Sequence, residues 1–136
     1  MEEKIKHLEF IQNAISRMCN NSFIIKGWTI TLVAALVAIS TQSLNKDYLL
    51  INYFILIVFW YLDGFYISCE RRFRALYEDV RLQKSSNFNM STKQYKGYKN
   101  SWIGGVLSKT LWPLYGLSLI VHTALLHSCQ KLILWE

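Results

Sequence analysis

Over the first 20 residues the apolar side chains Ile5, Leu8, Ile11, Ile15 and Met18 recur at spacings of three and four, between Glu2, Glu3, Lys4, Lys6, Glu9, Gln12 and Arg17. That period predicts an amphipathic helix over residues 1–21. Its expected place is the cytoplasm, packed on another helix. A helix lying flat in a membrane interface is the second reading, weakened by the acids among its lysines. The cap-rich run Asn20-Asn21-Ser22 predicts a break. From Phe23 to Leu44 only Lys26 is charged, and this predicts a first membrane span over 23–44. Thr31, Ala34, Ala35 and Ala38 give that span a small-residue surface on which another helix can pack closely. After the short connection Asn45-Lys46-Asp47, residues 48–69 form a second apolar stretch whose one charge is Asp63. Spans one and two therefore form an antiparallel hairpin.

Past Cys69 the chain turns basic, yet Phe73, Leu76, Tyr77 and Val80 keep one helical face apolar. No proline interrupts the junction, so the second span is expected to continue as one long helix to about Lys84. Then follows a polar stretch without acids, in which Ser91 and Gln94 fit a capping box for a short helix through about Asn100. Gly104-Gly105 is expected to give flexibility. From Thr110 to Gln130 no residue carries a formal charge, and Pro113 lies in the first turn, where its missing N–H costs least. This predicts a third span over 110–130.

Composition sharpens the class. The chain has 136 residues, 52% of them hydrophobic and 15% aromatic, which is high for a soluble domain. Its mean hydropathy of only +0.17 averages very apolar spans with one basic segment. The charged opening MEEKIKHLEF is unlike a secretory signal peptide, so the spans are expected to stay in the mature protein. Cys19, Cys69 and Cys129 show neither a CxxC motif nor a regular spacing, which fits small apolar residues in a reducing setting. Thirteen of the 15 Lys and Arg fall before span one, at its entry, or between spans two and three. The positive-inside rule then places the N-terminus and the basic segment 70–109 in the cytoplasm and the C-terminus outside. The expected class is an all-α integral protein of the bacterial inner membrane, with three transmembrane helices, a long second helix and an amphipathic N-terminal helix.

Asp63 is the most informative single position, because an ionisable group inside a span is costly unless paired or facing a polar cavity. It lies seven residues from Glu70, about 10 Å below the cytoplasmic surface. Lys26 enters from the same side on the neighbouring span, so a Lys26–Asp63 pair that fixes the hairpin, or gates a cavity, is expected. His122 and Thr31 are the next polar candidates, for helix contacts or a pore lining. His122 and His127 are five apart and share a helix face poorly, so no metal site is expected. Arg71, Arg72, Arg74, Arg81, Lys93, Lys96 and Lys99 form a basic set suited to anionic lipid. Tyr95, Tyr98 and Trp102 interleave with the lysines, which also suits a nucleotide or single-stranded nucleic acid. With no HExxH, GxSxG, Walker or dinucleotide motif, neither an enzyme nor a cofactor is expected.

Three segments, KHLEFIQNAISRMCNNSFIIKGWTITLVAAL, FWYLDGFYISCERRFRALYEDVR and FNMSTKQYKGYKNSWIGGVLSKTLWPLYG, together resemble a family of uncharacterised bacterial membrane proteins of about this length. The likeness covers nearly the whole chain. It rests on Glu9, Gln12, Arg17, Asn21, Ser22, Lys26, Trp28, Asp63, Glu70, Phe73, Tyr77, Ser108, Lys109 and Thr110, and implies architecture more than function. More loosely, the layout is similar to small multi-span effectors of anti-phage defence operons, which oligomerise and depolarise the inner membrane. That likeness implies an oligomeric channel-like effector regulated through its basic segment, with Lys26 and Asp63 as the gate. The alternative is a non-conducting membrane anchor or adaptor that recruits a cytoplasmic protein or an anionic ligand. What separates the two is whether Lys26 and Asp63 satisfy each other within one chain or face a shared axis.

Overall fold

The computed structural model describes residues 2–43, 46–84 and 87–135, without the side chains of 41–46, 129–130 and 132–135. Among them all regular structure is helical: α1 (Glu2–Ser43), α2 (Lys46–Leu82), α3 (Trp102–Val106) and α4 (Leu117–Trp135). Short 3₁₀ turns sit at Lys93–Tyr95 and Tyr98–Asn100, and a π turn over Trp112–Gly116 leads into α4. Glu2–Ser40 and Asp47–Leu82 are each long and apolar enough to cross a membrane. The connection read at Asn45, and the side chain of Cys129, lie outside the described residues.

The break expected at Asn20-Asn21-Ser22 does not occur. Helix α1 runs unbroken for 42 residues, about 63 Å at the usual rise per residue. Residues that favour caps lower helix propensity by only tenths of a kcal/mol, and tertiary contacts override so small a preference. Here Ser22 is buried and its hydroxyl is engaged by α2 instead of by its own backbone. Helix α2 is continuous for 37 residues across the apolar-to-basic junction, as the pattern predicts.

The first half of α1 and the second half of α2 meet where the sequence placed them. Ile11 and Ile15 of α1 and Leu76 and Val80 of α2 are buried together, with Leu8, Cys19, Phe73, Tyr77 and Tyr95 around them. The buried stripe on α1 is nevertheless rotated from the one expected. His7 and Ala14 are inside and Ile5 is half exposed, so the inner face runs through 7, 11, 14 and 15. At the free end of α2, Lys4 Nζ donates to the carbonyls of Arg81 and Gln83, each at 2.8 Å. A lysine from the start of α1 thus caps the negative end of a helix 77 residues further along.

A second core joins Leu56 and Ile67 of α2 to Leu111 and Tyr115 at the entry to α4. Trp60 stacks on Tyr115 with ring centroids 5.8 Å apart and meets Trp112 edge-on. Further along, the Tyr53 and Thr123 hydroxyls lie 2.8 Å apart. The chain order of these contacts makes α4 antiparallel to α2.

Between these cores the segment 95–106 is tied to α2. Trp60 donates to the Val106 carbonyl at 2.9 Å, Ser68 to that of Asn100 at 2.8 Å, and Trp102 to that of Tyr61 at 3.2 Å. Gly104-Gly105, expected to give flexibility, both lie within α3. A Cβ on Gly105 would overlap the Gly64 carbonyl oxygen, and one on Gly64 would come within 2.9 Å of the Val106 backbone. The two glycines let α3 lie directly on α2. The capping box at Ser91 and Gln94 does not form either. The Ser91 N–H goes to the Asn89 side chain at 2.9 Å, and Gln94 Nε2 donates to the Tyr95 hydroxyl at 2.6 Å. Local asparagine turns take the place of a helix start.

Candidate functional site

Lys26 and Asp63 flank the 44–45 connection at equal distance, so two antiparallel helices of the same rise bring them to one height. Lys26 Nζ lies 2.7 Å from one Asp63 carboxylate oxygen and 2.9 Å from the other. The carboxylate is fully buried, whereas the lysine side chain is 23% exposed. Ser22, one turn from Lys26 on the same face, donates its hydroxyl to Asp63 and accepts from Lys26 at 2.6 Å. Tyr115, from the entry to α4, donates to the second carboxylate oxygen at 3.2 Å. Thr29 lies 3.5 Å from that phenol and donates to the Ile25 carbonyl at 2.8 Å.

Three helical segments therefore converge on one carboxylate. Its oxygens receive four contacts, from Ser22, Lys26 and Tyr115. An isolated carboxylate in such surroundings would be prohibitively costly, and a cation with two hydroxyl donors removes most of that cost. Sequence reasoning found the lysine and the aspartate but missed Ser22 and Tyr115. The four-residue spacing from Ser22 to Lys26 is the signal that identifies the first. Tyr115 carries no such signal, because it approaches from a helix more than 50 residues away in sequence.

The other polar candidates lie elsewhere. Buried His122 faces its own helix through Nδ1, 3.1 Å from the Ser118 carbonyl, and meets the Tyr53 ring of α2 edge-on at 5.9 Å. Its Nε2, like the side-chain oxygen of buried Asn52, has no hydrogen-bond partner among the described residues. Thr31 is exposed and turns its hydroxyl back to the Gly27 carbonyl at 3.0 Å. Ala34, Ala35 and Ala38 are exposed on the same helix.

The basic set divides by partner. Arg74 pairs with Glu70 at 2.5 Å and Arg81 with Glu78 at 2.7 Å, each within one helical turn. Arg72 donates to the Ser68 carbonyl and to Cys69 Sγ. Arg71 instead leaves its helix and donates through Nη1 to the carbonyls of Lys99 and Gly104, both at 2.9 Å. Lys93, Lys96 and the Lys99 side chain are exposed.

The three interleaved aromatics point to different surroundings. Tyr95 packs into the α1–α2 core and donates to Asp79 at 2.5 Å; burial, and then that hydrogen bond, push its phenol above the usual range. Tyr98 is largely exposed, and Trp102 lies on Tyr61 with centroids 4.3 Å apart.

Compared with protein-family models, with curated proteins and with solved structures, the chain matches none.

Proposed function

We propose that this protein is a non-conducting membrane anchor. In this reading α1, α2 and α4 cross the bacterial inner membrane, with the N-terminus and the basic segment inside and the C-terminus outside. The paired ends of α1 and α2 then project as a stiff two-helix stalk for a cytoplasmic partner. The observation that carries the reading is the closure of Lys26 on Asp63 within one chain. A gate needs a charge that faces an open path, whereas this carboxylate is fully buried and engaged on both oxygens by Ser22, Lys26 and Tyr115.

Membrane insertion has its own support. Large apolar side chains face outward on all three helices, among them Phe23 (76% exposed), Phe54 (70%) and Ile120 (66%). A surface this apolar calls for lipid or protein cover. Most outward charges lie beyond one end of these stretches, where the positive-inside rule places the cytoplasm, with Asp47 and Lys131 beyond the other.

A second reading, the oligomeric channel-like effector, is favoured by one feature. Gly27, Thr31, Ala34, Ala35 and Ala38 lie exposed along α1, and a Cβ on Gly27 would meet nothing within 4 Å. Such a strip suits close approach by a second copy. The likeness in layout to anti-phage effectors belongs to this reading.

Alkaline carbonate washing of membranes, combined with thiol labelling of single cysteines placed at each end, tests the anchor. The reading requires retention in the membrane pellet, an inaccessible N-terminus and a C-terminus labelled from outside. Release by carbonate, or two termini on the same side, would contradict it.

A further inference from the structure

Helix α2 and the segment leading into α4 enclose a cleft of about 490 Å³ whose lining includes Arg71, Lys99, Ser108, Lys109 and Thr110. A neighbouring cleft of about 500 Å³, which Lys26 helps to line, shares Arg71 and Thr110 with it. The first lining carries three cationic side chains and no carboxylate.

Arg71 is the fixed point of this wall. Its Nη1 is held by two backbone carbonyls, while Nε and Nη2 make no hydrogen bond among the described residues. Unlike Arg74 and Arg81 on the same helix, it pairs with no acid there. A guanidinium oriented on one side and open on the other is set up for two parallel bonds to an oxyanion.

Ser108 supplies the independent observation. The residue is 4% exposed and forms part of the cleft wall. Its backbone N–H donates to Gly105, and its carbonyl accepts from Leu111 and Trp112. The hydroxyl alone has no partner among the described residues. A buried donor left unmade is costly. The hydroxyl oxygen is itself shielded in this structure, and a turn of the side chain toward the cleft that its residue lines would let an acceptor oxygen there satisfy it.

We infer that this cleft is a binding site for a phosphate group, with Arg71, Ser108 and Lys109 as its principal donors and Lys99 and Thr110 beside them. A tetrahedral oxyanion can accept from several directions at once, which suits donors arriving from α2 and from the 99–110 segment. The volume exceeds that of phosphate alone and leaves room for the group that carries it. Two sources share this chemistry: a phospholipid headgroup and a soluble phosphate. The site rests on the anchor reading only for the first of these, because the cleft then sits where α2 passes from its apolar to its basic half. Leu107, half exposed in the same wall, gives an apolar side to the opening.

The test is thermal unfolding of the full-length protein in a neutral detergent. It is titrated with inorganic phosphate in one arm and with phosphatidic acid in mixed micelles in the other, phosphatidylcholine being the blank. Lys109→Gln, whose side chain makes no hydrogen bond or ion pair among the described residues, and Ser108→Ala should each weaken the stabilisation, the latter about ten-fold. Arg71→Met should abolish it. Arg81→Met, which removes an equal charge from an acid-paired site, should leave it unchanged. A response to inorganic phosphate assigns the soluble source, and a response to phosphatidic acid alone assigns the headgroup. No stabilisation in either arm, or equal loss with Arg81→Met, would overturn the site. Neither result depends on carbonate retention, so failure of the anchor reading would be seen separately.

Discussion

Lys26 and Asp63 lie 37 residues apart in sequence, yet their charged atoms are 2.7 Å apart, and only the lysine has access to solvent. That asymmetry determines how the pair responds to substitution. Lys26→Met leaves a fully buried carboxylate without its cation, a loss that typically costs about 3–5 kcal/mol. Asp63→Asn keeps the shape and leaves a lysine that can swing toward the cleft it already lines, so it should cost less. The double variant Lys26→Met/Asp63→Leu should recover much of the lysine loss, because no charge is then buried. Unfolding of the four proteins in detergent checks the order. Equal costs for the two single variants would mean that both charges are hydrated.

The contact between Gly64 and Gly105 leads to a second prediction. A methyl on Gly105 meets the Gly64 carbonyl, which is backbone and cannot turn aside. Gly105→Ala should therefore lift α3 from α2 and cost about 1–3 kcal/mol, the usual range for overpacking. The Trp60 and Trp102 indoles bond across this contact, so their fluorescence should shift in the folded protein. Gly27→Ala, in open space, should be neutral or slightly stabilising. A silent Gly105→Ala would show that α3 is not held against α2.

Tyr95 gives the pH dependence. Burial, followed by donation to Asp79, raises its pKa above the ordinary phenol value near 10. A group raised on folding contributes its full stabilisation below the unfolded value and loses it as the pH rises through the folded one. Stability should thus be flat with respect to this residue at neutral pH and fall in the alkaline range, as tyrosinate forms beside the Asp79 carboxylate. Tyr95→Phe should remove that alkaline component, read from unfolding together with tyrosinate absorbance. An unchanged alkaline slope would assign it to other groups.

Part of this architecture is legible in sequence. The apolar runs give the long apolar stretches of α1 and α2, though with a break at Asn20-Asn21-Ser22 that does not form, and the three-four spacing gives the contact between the start of α1 and the end of α2. The short connection puts Lys26 level with Asp63. What stays hidden is decided by tertiary contact. Ser22 reads as a cap until a carboxylate lies opposite it, and Gly104-Gly105 reads as a hinge until another glycine lies beneath. Tyr115 and Ser108 belong to a segment whose height against the hairpin is set by side chains of α2, not by any connection length. Arg71 is one arginine among several in the sequence. Only the backbone carbonyls of Lys99 and Gly104 distinguish it.

The central claim is that the polar knot around Asp63 is closed within one chain and conducts nothing. The most direct measurement is the membrane potential, followed with a voltage-sensitive dye in cells expressing the wild-type protein or Asp63→Asn at matched levels. The anchor reading predicts that both populations stay polarised as expression rises. Depolarisation by the wild-type protein that Asp63→Asn abolishes or alters would contradict it, and would make Asp63 part of a conducting path.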